Sequence, residues 1–316
     1  MTARPLLELR ARMRHDLRGL FDALGFLEVD TPVLSAEVLP EPHIDPVAVE
    51  LDGEPAARFL QASPEALMKR LLAAGAGPIY QFAPAFRAGE RGRQHDVEFM
   101  MLEWYAPGTT LDDAADLLER LCATALGTRG IERLTCARAF VEHAGVDPLT
   151  APVAALEQAV AGAGLRMPEA RTAERDEDRW DRAFELLLAE RVQPRLGHGR
   201  PVMLEAWPVS QAALARIDDG RPAAARRFEL FVAGVELANG WEEDTSRELL
   251  AARISRANRA RQAAGRRPLP VPEKLLEAHG GSMPGGVGAA LGFDRLVMLA
   301  AGADSIAAVR PFPAEA

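Results

Sequence analysis

The sequence contains few cysteines and no cluster of metal-binding side chains. Cys122 and Cys136 are the only 2 cysteines in 316 residues, and no group of cysteines and histidines has the spacing of a zinc site. One disulfide is possible on this count, but two buried thiols are the expectation for a protein of a reducing compartment. The composition therefore favours free thiols and argues against a zinc domain.

Long hydrophobic runs are also missing. No stretch approaches the roughly 20 apolar residues needed to cross a bilayer. The first residues, MTARPLLELRARMRHDL, are charged throughout and lack the apolar centre of a signal peptide. We therefore expect a cytoplasmic protein with no membrane contact.

Positive charge is not in excess. The chain has 37 Lys and Arg against 46 Asp and Glu, a formal net charge of −9. Nucleic-acid surfaces are usually basic, so a broad one is not expected, although a local basic patch remains compatible with this total. The remaining composition, 48% hydrophobic and 26% charged, is typical of a globular protein with one large domain or two smaller ones.

Hydrophobic periodicity predicts several helices. Apolar residues recur at three- and four-residue steps over 5–25, and similar patterns cover 64–75 and 246–264. The region 109–200 is predicted to be mostly helical.

Alternating patterns predict strands that lie between these helices. FLEVDTPVL reads as a strand, GPIYQFAPAFRA and VEFMMLEWY as one hairpin, and RFELFVAGVELANGWEE as another with an Ala-Gly turn. GGVGAALGFDRLVMLAAG reads as a glycine-rich strand that leads into a helix. Because no regular βαβ rhythm is present, we predict an α+β fold with a mixed, mainly antiparallel sheet.

The loop of the first predicted hairpin is rich in charge. Arg87 directly follows an apolar strand, and Gly89 and Gly92 allow the chain to turn tightly. An arginine guanidinium donates two parallel hydrogen bonds to a phosphate. From these residues alone, a phosphate-binding loop and a solvated hairpin loop fit equally well.

Acidic residues interrupt the second predicted hairpin. Glu229, Glu236 and Glu243 are spaced seven residues apart in an otherwise apolar segment. Acids rarely enter core strands unless they are paired or bind a metal, and Mg²⁺ usually takes one or two carboxylates together with substrate phosphates. A position on the wet face of a sheet would explain them equally well.

Three motifs in this order resemble those of one enzyme class. FRxxExxxxHxxEFxxLEWY resembles motif 2 of the class II aminoacyl-tRNA synthetases, and GAALGFDRLVML resembles their motif 3. FLEVDTPVL, with Pro32, resembles motif 1, which implies a homodimer. FELFVAGVELANGWEE and ASPEALMKRLL are similar to lysyl-tRNA synthetases, and FRAGERGRxH…EFxMLEWY with GVELANG looks most like the elongation factor P–(R)-β-lysine ligase family.

This resemblance covers nearly the whole chain and implies its domain organisation. We expect a single synthetase-like catalytic domain over 1–316, a mostly helical insertion around 109–200, and no anticodon-binding domain.

The resemblance also implies ATP and Mg²⁺ as cofactors and assigns residues to them. Arg87 and Arg295 match the catalytic arginines on the α- and γ-phosphates, and Glu229 and Glu236 match the carboxylates that bind Mg²⁺. The residues expected to contact ATP are Arg87, Gly89, Glu90, His95, Asp96, Phe99, Glu236, Leu237, Gly292 and Arg295.

The residues that match the amino-acid pocket include three acids. A cluster of carboxylates is costly unless a cation arrives, so a diamino acid suits this pocket and a neutral amino acid does not. The residues expected to bind this substrate are Ser63, Pro64, Glu65, Glu103, Tyr105, Asn239, Trp241 and Glu243.

Two positions depart from the pattern of lysyl-tRNA synthetases. Gly89 stands where those enzymes carry glutamate, and whether the neighbouring Glu90 replaces it is open. Ala290 stands where they carry glycine, and we hypothesise that its methyl group affects the choice between α-lysine and β-lysine.

The resulting functional prediction is ATP-dependent activation of (R)-β-lysine or lysine as an aminoacyl-adenylate. Transfer to a lysine side chain of elongation factor P would follow. One alternative is a lysyl-tRNA synthetase-like enzyme that acts on tRNA, against which the net charge and the expected lack of an anticodon-binding domain argue. The other is a non-catalytic paralogue that binds lysine or nucleotide, against which Arg87, Arg295, Glu229 and Glu236 argue.

Overall fold

The computed structural model describes residues 3–53, 56–167 and 175–313. The α-helices are α1 (Ala3–Ala23), α2 (Glu65–Ala73), α3 (Leu111–Leu126), α4 (Cys136–Ala144), α5 (Val153–Gly162), α6 (Asp176–Leu187), α7 (Arg247–Ala263), α8 (Glu273–His279) and α9 (Phe293–Ala300). The strands are β1 (Leu27–Glu28), β2 (Leu34–Ser35), β3 (Val47–Val49), β4 (Arg58–Leu60), β5 (Ile79–Phe86), β6 (Glu98–Pro107), β7 (Glu132–Thr135), β8 (Val202–Pro208), β9 (Ile217–Asp218), β10 (Arg221–Val232), β11 (Val235–Glu242) and β12 (Gly286–Gly292).

The chain forms two compact units. Unit 1 comprises Met1–Thr110, Ala123–Gly127 and Glu243–Ala316, and unit 2 comprises Leu111–Cys122 and Thr128–Glu242. The expectation of one domain with an insertion over 109–200 stays a prediction. Parts of those ranges, at 1–2, 54–55, 168–174 and 314–316, lie outside the described residues.

Unit 1 contains a sheet with the strand order β1-β5-β6-β12. β5 and β6 form the predicted antiparallel hairpin, with Ile79 opposite Tyr105 at one end and Phe86 opposite Glu98 at the other. β12 is antiparallel to β6, and this register sets Gly288 opposite Tyr105. The predicted hairpin and the glycine-rich strand are thus confirmed as neighbours.

Helix α1 packs on this sheet through its apolar stripe. Met13, Leu17 and Phe21 are buried, and the ring of Phe21 stacks on Tyr80 of β5 with 4.6 Å between centroids. The helix gives way to a turn at Gly25, which has a left-handed φ of 78°.

The strand predicted for FLEVDTPVL is divided in two. Its first part, β1, pairs in parallel with β5 at the edge of the sheet, whereas β2 belongs to a small separate sheet of order β2-β4-β3. A proline at Pro32 lies between the two parts, which is consistent with the loss of a ladder hydrogen bond there.

Unit 2 contains a sheet with the order β11-β10-β8-β7, and β9 pairs with β10. β10 and β11 form the second predicted hairpin, which turns at Ala233 and Gly234 with φ values of 51° and 75°. The core beside β7 and β8 is built from α4, α5 and α6, with Phe140 and Phe184 stacked at 4.6 Å.

The structure agrees with one expectation drawn from composition. Cys122 and Cys136 are free, buried thiols. None of the described helices is at once long enough and apolar enough to cross a membrane.

Candidate active site

The charged loop between β5 and β6 orients Arg87. The Arg87 backbone N–H donates to the carbonyl of Val97 at 2.9 Å and closes the loop. Its guanidinium lies 5.0 Å from the ring centroid of Phe99 and 3.5 Å from a carboxylate oxygen of Glu90. Three residues predicted to bind ATP therefore lie together, and the base of Arg87 is fixed by the strand that precedes it.

The tight turn of this loop depends on glycine. Gly89 has a φ of 79°, a conformation that side-chain-bearing residues adopt only with strain. A glutamate at position 89 would be strained, and the carboxylate beside Arg87 belongs to Glu90. Glu90 therefore lies beside Arg87, as a substitute for the missing glutamate at position 89 would. Its role with ATP stays a prediction.

Arg295 joins the start of α9 to the same loop. Its Nε donates to the carbonyl of Gln94 at 3.1 Å, and its Nη2 lies 2.7 Å from Nε2 of His95. The carboxylate of Asp294, which sequence reasoning did not single out, accepts from the Met100 N–H at 2.8 Å and from Arg10 at 2.6 Å. Asp294 thereby ties α9 to β6 and fixes the backbone that carries Arg295.

Two other predicted ATP ligands on this side have distinct placements. Gly292 is the last residue of β12 and the N-cap of α9. Asp96 is buried, accepts from the Val97 N–H at 2.7 Å and pairs with Arg310. Asp96 is thus held by protein groups, and its contact with nucleotide stays a prediction.

The start of α2 organises the predicted amine pocket. Pro64 is buried at the N-cap, and the Ser63 hydroxyl accepts from the Glu65 N–H at 3.0 Å. The same hydroxyl donates to Glu103 at 2.8 Å, and the Tyr105 hydroxyl donates to the other Glu103 oxygen at 2.7 Å. Five predicted substrate-binding residues therefore belong to one connected cluster.

A lysine that sequence reasoning missed lies at the centre of this cluster. The Lys69 ammonium is fully buried and lies 2.7 Å from Glu65 and 2.7 Å from Glu243. Glu65 and Lys69 are four residues apart on α2, a spacing that favours such pairs. This spacing within ASPEALMKRLL was the available signal.

Burial and neighbouring charge shift the acidities in the cluster. Burial, reinforced by the negative charge of Glu65, raises the pKa of Glu103 to about 8, although the donors Tyr105 and Ser63 lower it in part. Burial alone would lower the pKa of the Lys69 ammonium, but Glu243 and Glu65 outweigh it and raise that pKa above its ordinary value. Lys69 therefore stays charged, while Glu103 is largely protonated at neutral pH.

Two small residues of β12 form the floor of the cluster. A Cβ on Gly288 would lie 2.4 Å from the Tyr105 ring and 2.8 Å from a Glu243 oxygen. Only glycine permits that close approach. Ala290, the position where we expect an effect on substrate choice, pairs with Glu103 in the ladder.

In unit 2, a bulge decides which way the acids of the second hairpin point. Leu230 pairs with Ala238 and Phe231 pairs with Glu236, so Leu237 is an extra residue. Leu237 and Ala238 are each 1% exposed, whereas Glu236 is only half-buried. The bulge turns Leu237 inward, so only its backbone can make the predicted contact with ATP.

The same bulge aligns the polar residues. Glu229 lies directly opposite Asn239, so their side chains share a face. Glu236 and Asn239 are three residues apart, so regular alternation would put their side chains on opposite faces of the strand. The extra residue of the bulge shifts the alternation by one and brings Glu236 to the same face as Asn239. Trp241, two residues beyond Asn239, follows on that face and packs against the Ala212, Ala215 and Ala225 cluster.

Arg227 connects these residues and was also missed from the sequence. Its side chain is 13% exposed and donates to the carboxylate of Glu229 and, at 3.1 Å, to the amide oxygen of Asn239. A further bond reaches the carbonyl of Gln211 at 2.7 Å. One predicted metal ligand and one predicted substrate ligand are thus held by a single guanidinium.

Comparison with known proteins identifies the family. The sequence matches the class II tRNA synthetases (D, K and N) over residues 2–316. The chain belongs to the class II tRNA synthetase family. The elongation factor P–(R)-β-lysine ligase of Edwardsiella ictaluri is 40% identical over 307 residues, or 96% of this chain and 93% of that protein. Proteins of the same name from Enterobacter sp. and Yersinia enterocolitica are 38% and 39% identical, covering 98% and 96% of this chain and 94% and 93% of their own lengths.

The resemblance inferred from the motifs and the α+β fold class are confirmed by these matches. Membership of the class II tRNA synthetase family implies that the protein uses ATP. Arg87 and Arg295 suit that use, because both guanidiniums are anchored at their base and planar donors of this kind bind phosphate oxygens.

The residues of unit 2 fit a magnesium ion that class II synthetases typically use with ATP. Glu229 and Glu236 share one face of the hairpin, and Mg²⁺ commonly binds one or two carboxylates plus phosphate oxygens. Within 3–53, 56–167 and 175–313, no three acidic, histidine or cysteine side chains are grouped so as to hold a metal by themselves. A cation here would therefore take part of its coordination from the nucleotide.

Proposed function

We propose that this protein uses ATP to activate a diamino acid, (R)-β-lysine or α-lysine, and transfers the aminoacyl group to a lysine side chain of elongation factor P. The buried cluster of Glu65, Glu103 and Glu243 supports the substrate class. Once Glu103 loses its proton to a bound cation, three carboxylates exceed the buried ammonium of Lys69, so the pocket favours a ligand with two ammonium groups. The name shared by the relatives supports (R)-β-lysine and elongation factor P.

In the first step, a carboxylate oxygen of the amino acid attacks the α-phosphorus of ATP. The bond from that phosphorus to the bridging oxygen breaks, and pyrophosphate leaves with the electron pair. Negative charge grows on the α-phosphoryl oxygens, and Arg87, oriented beforehand by Glu90 and Phe99, stabilises it. Arg295 would bind the γ-phosphate.

In the second step, the neutral ε-amine of the acceptor lysine attacks the carbonyl carbon of the aminoacyl-adenylate. AMP leaves with the electron pair of the carbon–oxygen bond, an amide forms, and the amine loses its proton to solvent or to the leaving phosphate. Mg²⁺ bound by Glu229 and Glu236 would supply neutralisation of phosphate charge. Positioning and electrostatics supply the remaining acceleration.

The test is ATP–pyrophosphate exchange with (R)-β-lysine, α-lysine and no amino acid. We expect exchange that requires a diamino acid and is lost in Arg87→Ala. Arg93→Ala is the matched control, since Arg93 lies in the same loop but donates to the backbone of Asp304. Absence of exchange with both amino acids would refute the proposal.

The acceptor is tested by intact mass of elongation factor P after incubation with ATP and the preferred amino acid. We expect the gain of one aminoacyl group on the factor. The net charge of −9 supports a protein acceptor over tRNA. If tRNA is charged and the mass of the factor does not change, the acceptor is tRNA and this part of the proposal is wrong.

A cytoplasmic homodimer is part of the same proposal. The resemblance of FLEVDTPVL to motif 1 supports it, and so does the exposure of Leu27, 59%, within that segment. Sedimentation at micromolar concentration should give twice the mass of 34.1 kDa, and a monomer mass would contradict it.

A further inference from the structure

The Lys69 side chain is fully buried in unit 1. Its ammonium bridges Glu65, from its own helix, and Glu243, which follows β11 in the chain. The ring of Tyr105 lies 5.9 Å from the same nitrogen. Three separate segments of unit 1 thus meet at one permanent cation.

The bridge has a consequence for both carboxylates. Two buried acids that face each other repel, and one of them would take up a proton or turn away. The ammonium between Glu65 and Glu243 removes that repulsion and fixes the direction of both groups. The formal charge of the cluster, with all acids ionised, is −2: three carboxylates, Glu65, Glu103 and Glu243, against one ammonium.

We propose that Lys69 is a positioning residue that sets the acceptance of diamino acids. It directs the carboxylates of Glu65 and Glu243 toward one cation. Once Glu103 has lost its proton, the cluster has a formal charge of −2 that two substrate ammonium groups neutralise. This inference rests on the proposed function, because it concerns the same pocket. Lys69 acts through the two carboxylates and does not contact the substrate itself.

A purely structural ion pair that anchors α2 is the competing explanation. Loss of such an anchor would lower stability and weaken ATP and amino-acid binding alike. Loss of a positioning cation would weaken the binding of the diamino acid but not that of ATP. It would also add an ionisation to the pH profile of diamino-acid binding. The two explanations therefore differ in KM pattern and pH dependence.

The first experiment compares Lys69→Met with the wild type in pyrophosphate exchange from about pH 6 to about pH 9. We expect the KM for the diamino acid to rise at least about tenfold, while the KM for ATP stays nearly unchanged. The pH dependence of the KM for the diamino acid should show one additional ionisation. Lys69→Arg, which retains the charge, should recover part of the loss. Arg70→Met is the matched control, since Arg70 is the next residue on α2 and its side chain is 36% exposed.

Several outcomes would overturn the inference. An unchanged KM for the diamino acid would do so, and so would equal rises in both KM values without a change in pH profile. If the wild type still catalyses pyrophosphate exchange with one of the two amino acids, these outcomes leave the proposed function unaffected. Wild-type protein that exchanges with neither amino acid would instead refute the proposed function.

A second measurement uses the wild-type protein and stands even if Lys69→Met does not fold. Calorimetric titration with α-lysine and (R)-β-lysine in buffers of different ionisation enthalpy counts the protons released on binding. Because the Lys69 ammonium lies 2.7 Å from both Glu65 and Glu243, we expect no more than about one proton, which comes from Glu103. Release of two or more protons would show that Lys69 does not act as the counter-charge of these two carboxylates and would overturn the inference.

Discussion

The guanidinium of Arg227 lies over the indole ring of Trp207, with 4.1 Å between its central carbon and the ring centroid. From this position Arg227 donates to both Glu229 and Asn239. The aromatic face supports a cation whose side chain is only 13% exposed. One stacked arginine therefore orients two residues that the proposed reaction uses.

Replacing Arg227 with methionine should weaken use of Mg²⁺. Without its donor, Glu229 is no longer held in position, and loss of such a supporting hydrogen bond typically costs about 10- to 100-fold in metal affinity or activity. The Mg²⁺ concentration that gives half-maximal pyrophosphate exchange should rise accordingly. Arg221→Met on the same strand is the control, because Arg221 pairs with Asp218 and is 54% exposed. An unchanged Mg²⁺ dependence in a folded variant would count against the role of Arg227.

Gly288→Ala should damage the amine pocket. The added methyl would overlap the Tyr105 ring and a Glu243 oxygen, and overpacking of this kind costs about 1–3 kcal/mol. We expect a lower unfolding midpoint in denaturant and a raised KM for the diamino acid. Gly285→Ala is the control, since a Cβ there meets nothing within 4 Å. If both variants bind the diamino acid like the wild type, the floor of the pocket does not lie at Gly288.

The pKa of Glu103 predicts how stability depends on pH. Its pKa is raised from an ordinary 4.5 to about 8 in the folded protein, so the folded state binds the extra proton between these values. The stabilisation is complete below the unfolded pKa and is lost as pH rises towards about 8. Ser63, Tyr105, Glu65 and Lys69 surround the carboxyl group and set the shift.

Glu103→Gln removes this titration and isolates its effect. The wild type should lose up to about 1.4 kcal/mol more per pH unit than the variant across that window. Urea unfolding of both proteins at about pH 6 and about pH 7.5 measures the difference. Subtracting the slope of the variant from that of the wild type cancels the contributions of other titrating groups. One of these is His279, because burial lowers its pKa to about 4. Equal slopes would show that Glu103 keeps an ordinary pKa.

Glu90→Gln tests whether this acid assists Arg87. The carboxylate lies 3.5 Å from the guanidinium, and small misplacement of a catalytic group costs about ten- to a hundredfold in rate. We expect a loss of that order in kcat/KM for ATP. Glu98→Gln, an exposed acid at the start of β6, should behave like the wild type. Wild-type kinetics in Glu90→Gln would leave the motif 2 glutamate without a substitute in this protein.

The sequence predicted the local elements and the motifs well. The two hairpins, the helices α1, α2 and α7, and the strand that leads into α9 follow from short-range periodicity and turn residues, which need no knowledge of distant contacts. The prediction of one strand for FLEVDTPVL was only partly right. Its pattern fits one strand, but the pairing partners of β1 and β2 belong to different sheets.

The residues missed from the sequence share a physical reason. Apart from the four-residue spacing of Glu65 and Lys69, little in the sequence distinguishes Lys69, Arg227 and Asp294 from other charged residues, because burial and partners far along the chain give them their importance. Whether Glu236 faces the same way as Glu229 was likewise undetermined. One extra residue in β11 reverses the alternation, and strand periodicity alone does not reveal a bulge.

The sequence by itself determined the family. It also supplied the predictions of the phosphate-binding arginines and of an acidic amine pocket, because these predictions depend on residue types at fixed spacing. Only the tertiary structure decided which acids meet which cations. Lys69 lies between Glu65 and Glu243, and Glu103 acquires its raised pKa, because folding brings segments from α2, β6 and the residue after β11 into one buried volume. Desolvation and charge pairing exist only after that contact is made.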